Sequence, residues 1–140
     1  MPLYNNTVTS MVAYTPTFTG FGTVTNIEMY SCRVGSNLYI KGKFTVGTPT
    51  GVEAQMTLGF NGTSANVTSA TRAQGIVGAG NAYPNVVGAV LYTLVESGVT
   101  YLTFGGQNAG VAALTKQLGT GIFSAGEIVS IDATVAIAGW

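Results

Sequence analysis

The 140 residues include 5 Lys or Arg, 5 Asp or Glu and no His, so charged side chains make up 7% of the chain, where an ordinary soluble domain carries about 25%. A surface with that deficit must consist of neutral polar groups, exposed apolar atoms or area covered by other chains, and the length allows one core and not two. Zero net charge removes the attraction that nucleic acid or an anionic membrane would need, and the absence of histidine removes Ser-His-Asp and Cys-His catalysis together with the commonest zinc ligand.

Residues 1–10 contain neither a basic residue nor an apolar run and do not read as a secretory signal. Residues 1–19 are expected as an N-terminal arm or a first strand, ahead of a single β-sandwich domain over 20–140. The 20 Gly and 20 Thr favour sheet and turn over helix. A first strand is expected at 8–14. Apolar and polar residues alternate most clearly over 38–46, where Leu38, Ile40, Phe44 and Val46 fall on one face and Tyr39, Lys41, Lys43 and Thr45 on the other. The run 27–34 joins this strand through Gly35-Ser36-Asn37, a short connection that closes an antiparallel hairpin. Residues 54–60 alternate again and stop at the turn dipeptide Asn61-Gly62.

A strand is expected near 74–77. The uncharged apolar run 86–95 reads as a buried strand, being far short of the about 20 residues a spanning helix needs. Residues 99–104 form the next strand, and 109–118 could make one short helical turn. In the closing strand, 122–123 with 127–137, Val129, Ile131, Ala133, Val135 and Ile137 alternate against Ser130, Asp132, Thr134 and Ala136. No segment carries an apolar stripe of helical period. About eight strands at this spacing make an all-β fold, an antiparallel β-sandwich with a jelly roll as the leading architecture. Long neutral strands are an aggregation hazard at their edges, and self-assembly is the simplest cover.

Chemistry-bearing side chains are few. Glu28, Glu53, Glu96, Glu127 and Asp132 are expected as solvated charges or salt-bridge partners. Glu127 and Asp132 stand five apart on one strand, hence on opposite faces, and cannot form a glycosidase pair by themselves. Asp132 is expected on the water-facing side; covered by a neighbouring subunit, it would need Arg33, Arg72 or a lysine. Gly78-Ala79-Gly80-Asn81 begins like a phosphate-binding glycine run but lacks the third glycine, a following helix and a lysine, so it is expected as a turn or loop. Cys32 reads as a hidden strand thiol with no internal disulfide partner. Tyr83, within Gly80-Asn81-Ala82-Tyr83-Pro84-Asn85, reads as a loop-borne contact residue. Tyr14, Phe18 and Phe21 are candidate subunit contacts, with core packing as the other reading, and Trp140 is either a plug for the sandwich floor or a subunit contact. No catalytic, metal-binding or cofactor-binding residue stands out, and no cofactor is expected.

Phe18-Thr19-Gly20-Phe21-Gly22-Thr23-Val24, Arg33-Val34-Gly35-Ser36-Asn37-Leu38-Tyr39-Ile40-Lys41-Gly42-Lys43-Phe44 and the closing Ile128-Val129-Ser130-Ile131-Asp132-Ala133-Thr134-Val135-Ala136-Ile137-Ala138-Gly139-Trp140 resemble a module of tailed-bacteriophage virion proteins. The resemblance covers both ends of the sandwich, and the middle, roughly 47–118, follows by pattern only. It implies a non-enzymatic, surface-exposed β-sandwich, usually a homotrimer, found on heads and on tail fibres. A tip-sized module by itself fits a head decoration, or cement, protein. Such a protein binds the major capsid protein at subunit junctions and stabilises the shell by burying area, with residues 1–19 reaching across it. The alternative is a receptor-binding tail-fibre tip that recognises a bacterial surface glycan through loops such as 64–69 and 80–85.

Overall fold

Strands dominate the computed structural model, which describes residues 7–61, 76–85, 90–96, 98–107 and 114–140. In chain order they are β1 (Val12–Tyr14), β2 (Phe18–Thr19), β3 (Thr25–Val34), β4 (Asn37–Thr45) and β5 (Gln55–Thr57). Then come β6 (Ile76–Pro84), β7 (Leu91–Glu96), β8 (Tyr101–Gln107), β9 (Leu114–Lys116), a four-residue helix α1 (Gly119–Ile122) and β10 (Ile128–Ala136). All pairings are antiparallel, and they join into one path, β1-β3-β4-β10-β6-β7-β8-β5-β2, with β9 attached to β8. The all-β antiparallel expectation holds. There are ten strands among the described residues where the sequence suggested about eight, and the sandwich takes the form of one curled sheet.

The strands β3, β4 and β10 follow the alternation written in the sequence. Leu38, Ile40, Phe44, Val129, Ile131, Ala133 and Val135 are buried, while Lys41, Lys43, Ser130, Asp132 and Thr134 point to water. Val34 pairs with Asn37, so the β3–β4 loop is the two residues Gly35 and Ser36, one fewer than the sequence suggested. Gly35 supplies the positive φ of 62° that a tight hairpin turn needs at this position. At Gly42 a Cβ would overlap the backbone oxygen of Glu28, so only glycine lets β3 and β4 approach this closely.

Side-chain and backbone bonds curl the sheet on itself. The Tyr14 hydroxyl donates to the Thr57 carbonyl (3.4 Å), the Ser31 hydroxyl to the Gly59 carbonyl (2.7 Å), and the Thr57 N–H to the Thr17 carbonyl (3.0 Å). The first two bonds draw the end of β5 to β1 and β3, strands at the opposite end of the path, and the third extends the β2–β5 pairing. Inside the curl, the Phe21 ring meets those of Phe18, Phe44, Phe104 and Phe123 at centroid distances of 4.7–5.4 Å, the range of favourable aromatic pairs. Tyr14 and Phe21 therefore belong to the protomer's own core. They were expected as candidate subunit contacts, and burial inside the protomer leaves them almost no surface to offer another chain.

The strands β7 and β8 are covered on both sides. Thr93, Leu94 and Val95 are consecutive and buried, as are Leu102, Thr103 and Phe104. The cover comes from β9, which pairs with β8 and also approaches β6 on the far side of β7. Neighbouring strands in a flat sheet lie about 4.8 Å apart, which would hold β9 far from β6, so β9 folds back across the sheet. Lys116 at its end is ion-paired to Glu53 (3.2 Å) and Glu96 (3.1 Å). The hydrogen bond to Glu96 raises the Lys116 pKa above the ordinary lysine value, with Glu53 adding to it and partial desolvation opposing it.

Three local expectations change. Of the segment 109–118, residues 109–113 lie outside the described residues and Leu114–Lys116 are strand, while a short helix lies at Gly119–Ile122, where the sequence suggests a strand for Ile122. Gly78-Ala79-Gly80-Asn81 is no turn; it is the middle of β6, with a register shift between Gly78 and Gly80. A Cβ at Gly80 would overlap the Asp132 carbonyl, so the glycine serves close strand approach, one of the established uses of glycine inside a strand. Residues 7–19 do not project as an arm: the Thr9 N–H donates to the Arg33 carbonyl, β1 pairs with β3, and β2 pairs with β5.

Candidate functional site: an outer sheet face and an apolar edge

The register fixes which outward side chains meet. Tyr30 on β3 stands opposite Lys41 on β4, Lys41 opposite Asp132 on β10, Asp132 opposite Asn81 on β6, and Asn81 opposite Tyr92 on β7. A second row runs Glu28, Lys43, Ser130, Tyr83. Because directly opposed residues of antiparallel strands share a face, both rows lie on the outside of the sheet. Between them is a groove of about 640 Å³ lined by Met11, Tyr30, Lys41, Lys43, Tyr83 and Asp132, among others.

The side chains of this face differ in how firmly they are held. Lys43 pairs with Glu28 at 3.7 Å, both more than half exposed, a contact of little energetic weight. Asn81 Nδ2 donates to the Tyr83 hydroxyl at 3.2 Å. Lys41, Ser130 and Asp132 make no side-chain hydrogen bond or ion pair among the described residues. Asp132 is exposed, as the sequence suggested, and faces a lysine across the β4–β10 pairing without contacting it. Tyr83 is exposed as expected but is a strand residue of β6, not a loop residue: its neighbour Ala82 faces the core and pins the backbone against β10. The loop 64–69 lies outside the described residues.

A second surface feature is the β1 edge of the sheet. Val8 bridges to Val34, Val12 lies opposite Ser31, and Val8, Met11, Val12 and Val34 are all exposed. β1 is the first strand of the path, so among the described residues the side away from β3 has no strand partner. Phe18 is half-buried, with its ring on Phe44 at 4.6 Å. Trp140 is partly buried, edge-on to Phe60 at 4.9 Å, with the Arg33 guanidinium 4.7 Å from its ring centroid. It closes one end of the core, the plug of the two readings, while keeping part of its surface free.

Glu127 corrects the expectation of solvated or salt-bridged carboxylates. It is fully buried, and its carboxylate accepts the Ser124 N–H at 2.9 Å while its carbonyl accepts the Val46 N–H at 2.8 Å, bonds that offset its desolvation. Cys32 is buried and unpaired with another cysteine, as expected. Among the described residues no three His, Cys, Asp or Glu side chains come together as a metal site, and no helix is long and apolar enough to cross a membrane. Sequence reasoning missed Tyr30, Lys41 and Tyr92 as members of one face, because that face exists only through the register of β10 with β4 and β6, segments far apart in the chain. No protein-family model, no curated protein and no solved structure matches the chain.

Proposed function

We propose that this chain is a non-enzymatic structural protein of a tailed-phage virion, a decoration protein that stabilises the head shell as a homotrimer in contact with the major capsid protein. The observation that carries the reading is the β1 edge, where Val8, Met11, Val12 and Val34 stand exposed at a strand that has no partner on its outer side among the described residues. Apolar groups so placed gain by association, and the scarcity of charge removes the repulsion that keeps most surfaces apart. The virion setting and the threefold order are supported by the resemblance of both ends of the sandwich to phage modules. In this reading the edge strand makes the contacts that an N-terminal arm would otherwise make.

The test is co-sedimentation of the purified chain with phage heads stripped of accessory proteins. Saturable binding that raises the temperature of head disruption is expected. Heads that neither bind the chain nor gain stability would contradict the assignment to the shell. A second reading, a tail-fibre tip that recognises a bacterial surface glycan, is favoured by one observation of its own, the outer-face groove flanked by Tyr30 and Tyr83.

A further inference from the structure

The outer-face groove has a composition that selects a chemical class of occupant. Its four charged side chains, Lys41 and Lys43 against Glu28 and Asp132, cancel, so neither a polyanion nor a polycation finds a net field there. Lys41, Asp132 and Ser130 nevertheless keep donors and acceptors unused by the described protein groups. A purely apolar segment would bury those groups without partners, which costs more than its own burial returns. Around them stand Tyr30, Tyr83 and Tyr92, each exposed, and the Tyr83 hydroxyl accepts a hydrogen bond from the Asn81 amide beside it on the same face. A preoriented aromatic face beside unused donors and acceptors of both kinds suits a ligand that is neutral, rich in hydroxyls and apolar on its ring faces.

We propose that the groove binds a short, uncharged oligosaccharide, with one sugar ring against Tyr83 and hydroxyls bonded to Lys41 and Asp132. From Tyr30 on β3 to Tyr92 on β7 the face spans four strand intervals, or about 19 Å at the usual spacing, room for several linked rings and not for one alone. The site lies on the sheet face and needs none of the residues of 64–69. The proposal deepens the second reading above and rests on it for the occasion of binding, but it draws its geometry from the register alone.

The test uses the full chain and a panel of short neutral glucan, galactan, mannan and chitin oligomers, with heparin as the anionic control, followed by ligand-observed NMR and titration. At least one neutral oligomer should bind and heparin should not. Affinity should fall about tenfold or more in Tyr83→Ala and in Asp132→Asn, each checked for an unchanged backbone spectrum; tenfold corresponds to the loss of roughly 1.4 kcal/mol. Binding by no oligomer, or equal binding by wild type and both variants, overturns the proposal. Adsorption of the labelled chain to a panel of bacterial strains separates the two readings. Strains bound equally by all three proteins would remove the groove and leave the receptor reading standing. Oligomer binding lost in the variants, with no strain bound, would keep the groove and remove the receptor tip.

Discussion

The strands β3, β4 and β10 differ from β7 and β8 in how many of their faces meet water. In the first group β10 alternates exposed and buried side chains almost throughout, β3 and β4 keep largely to the same alternation apart from the consecutive buried pair Ser31 and Cys32, and buried Ile40 sits beside exposed Lys41. In the second group three consecutive residues, Thr93 to Val95, are buried, because β9 folds back over the outside. One sheet thus offers an open face at one end and a closed, two-sided layer at the other. The closed part buries side chains on both of its faces, while the open part is free to carry polar groups that a partner can use.

Substitutions can break this contrast. Leu94→Ala, on the outer side of β7, should lose about 2–5 kcal/mol, the same range as Ile40→Ala in the inner core, whereas Lys41→Ala should stay within about 0.5 kcal/mol. Urea denaturation midpoints measure all three. A neutral Leu94→Ala would mean that β9 does not cover this face. Gly42→Ala should cost about 1–3 kcal/mol by the same assay, since its methyl would meet the Glu28 backbone and push β3 from β4.

Thr93 sharpens the contrast from the opposite direction. Its hydroxyl is buried opposite Phe104 and has no partner among the described residues, so Thr93→Val should raise stability by about 1 kcal/mol. Lys116 gives the smallest effect. Its pKa is raised on folding, so its contribution is complete below the unfolded lysine value of about 10.4 and fades as pH rises through the folded value. Lys116→Met should therefore be slightly less stable than wild type at neutral pH and approach it in strong alkali. Paired denaturation curves at the two pH values would show the convergence. Its partly exposed partners limit the difference to under about 1 kcal/mol.

The alternation over 38–46 and 129–137 was legible because one buried face imposes a period of two on the sequence. The strand nature of 78–81 was not, since Gly80, which serves close approach to β10, and Gly78 beside it look like turn residues when no neighbouring strand is in view. The burial of Leu94 and Thr103 on the outer side depends on β9, a three-residue strand too short to show any period. Glu127 is a residue type that a sequence reading places in water, and the turn that brings the Ser124 N–H to its carboxylate helps make burial tolerable. For the candidate face, the sequence supplied Tyr83 and Asp132 singly, and the pairing of β10 with both β4 and β6 brought them together.

The central claim is that the exposed β1 edge drives assembly, and the mass of the purified chain by light scattering tests it most directly. The account predicts three times the 14.3 kDa chain mass for wild type and a single chain mass for Val12→Lys, which places a charge on that edge. A wild-type protein that remains at one chain mass across the accessible concentration range would contradict it.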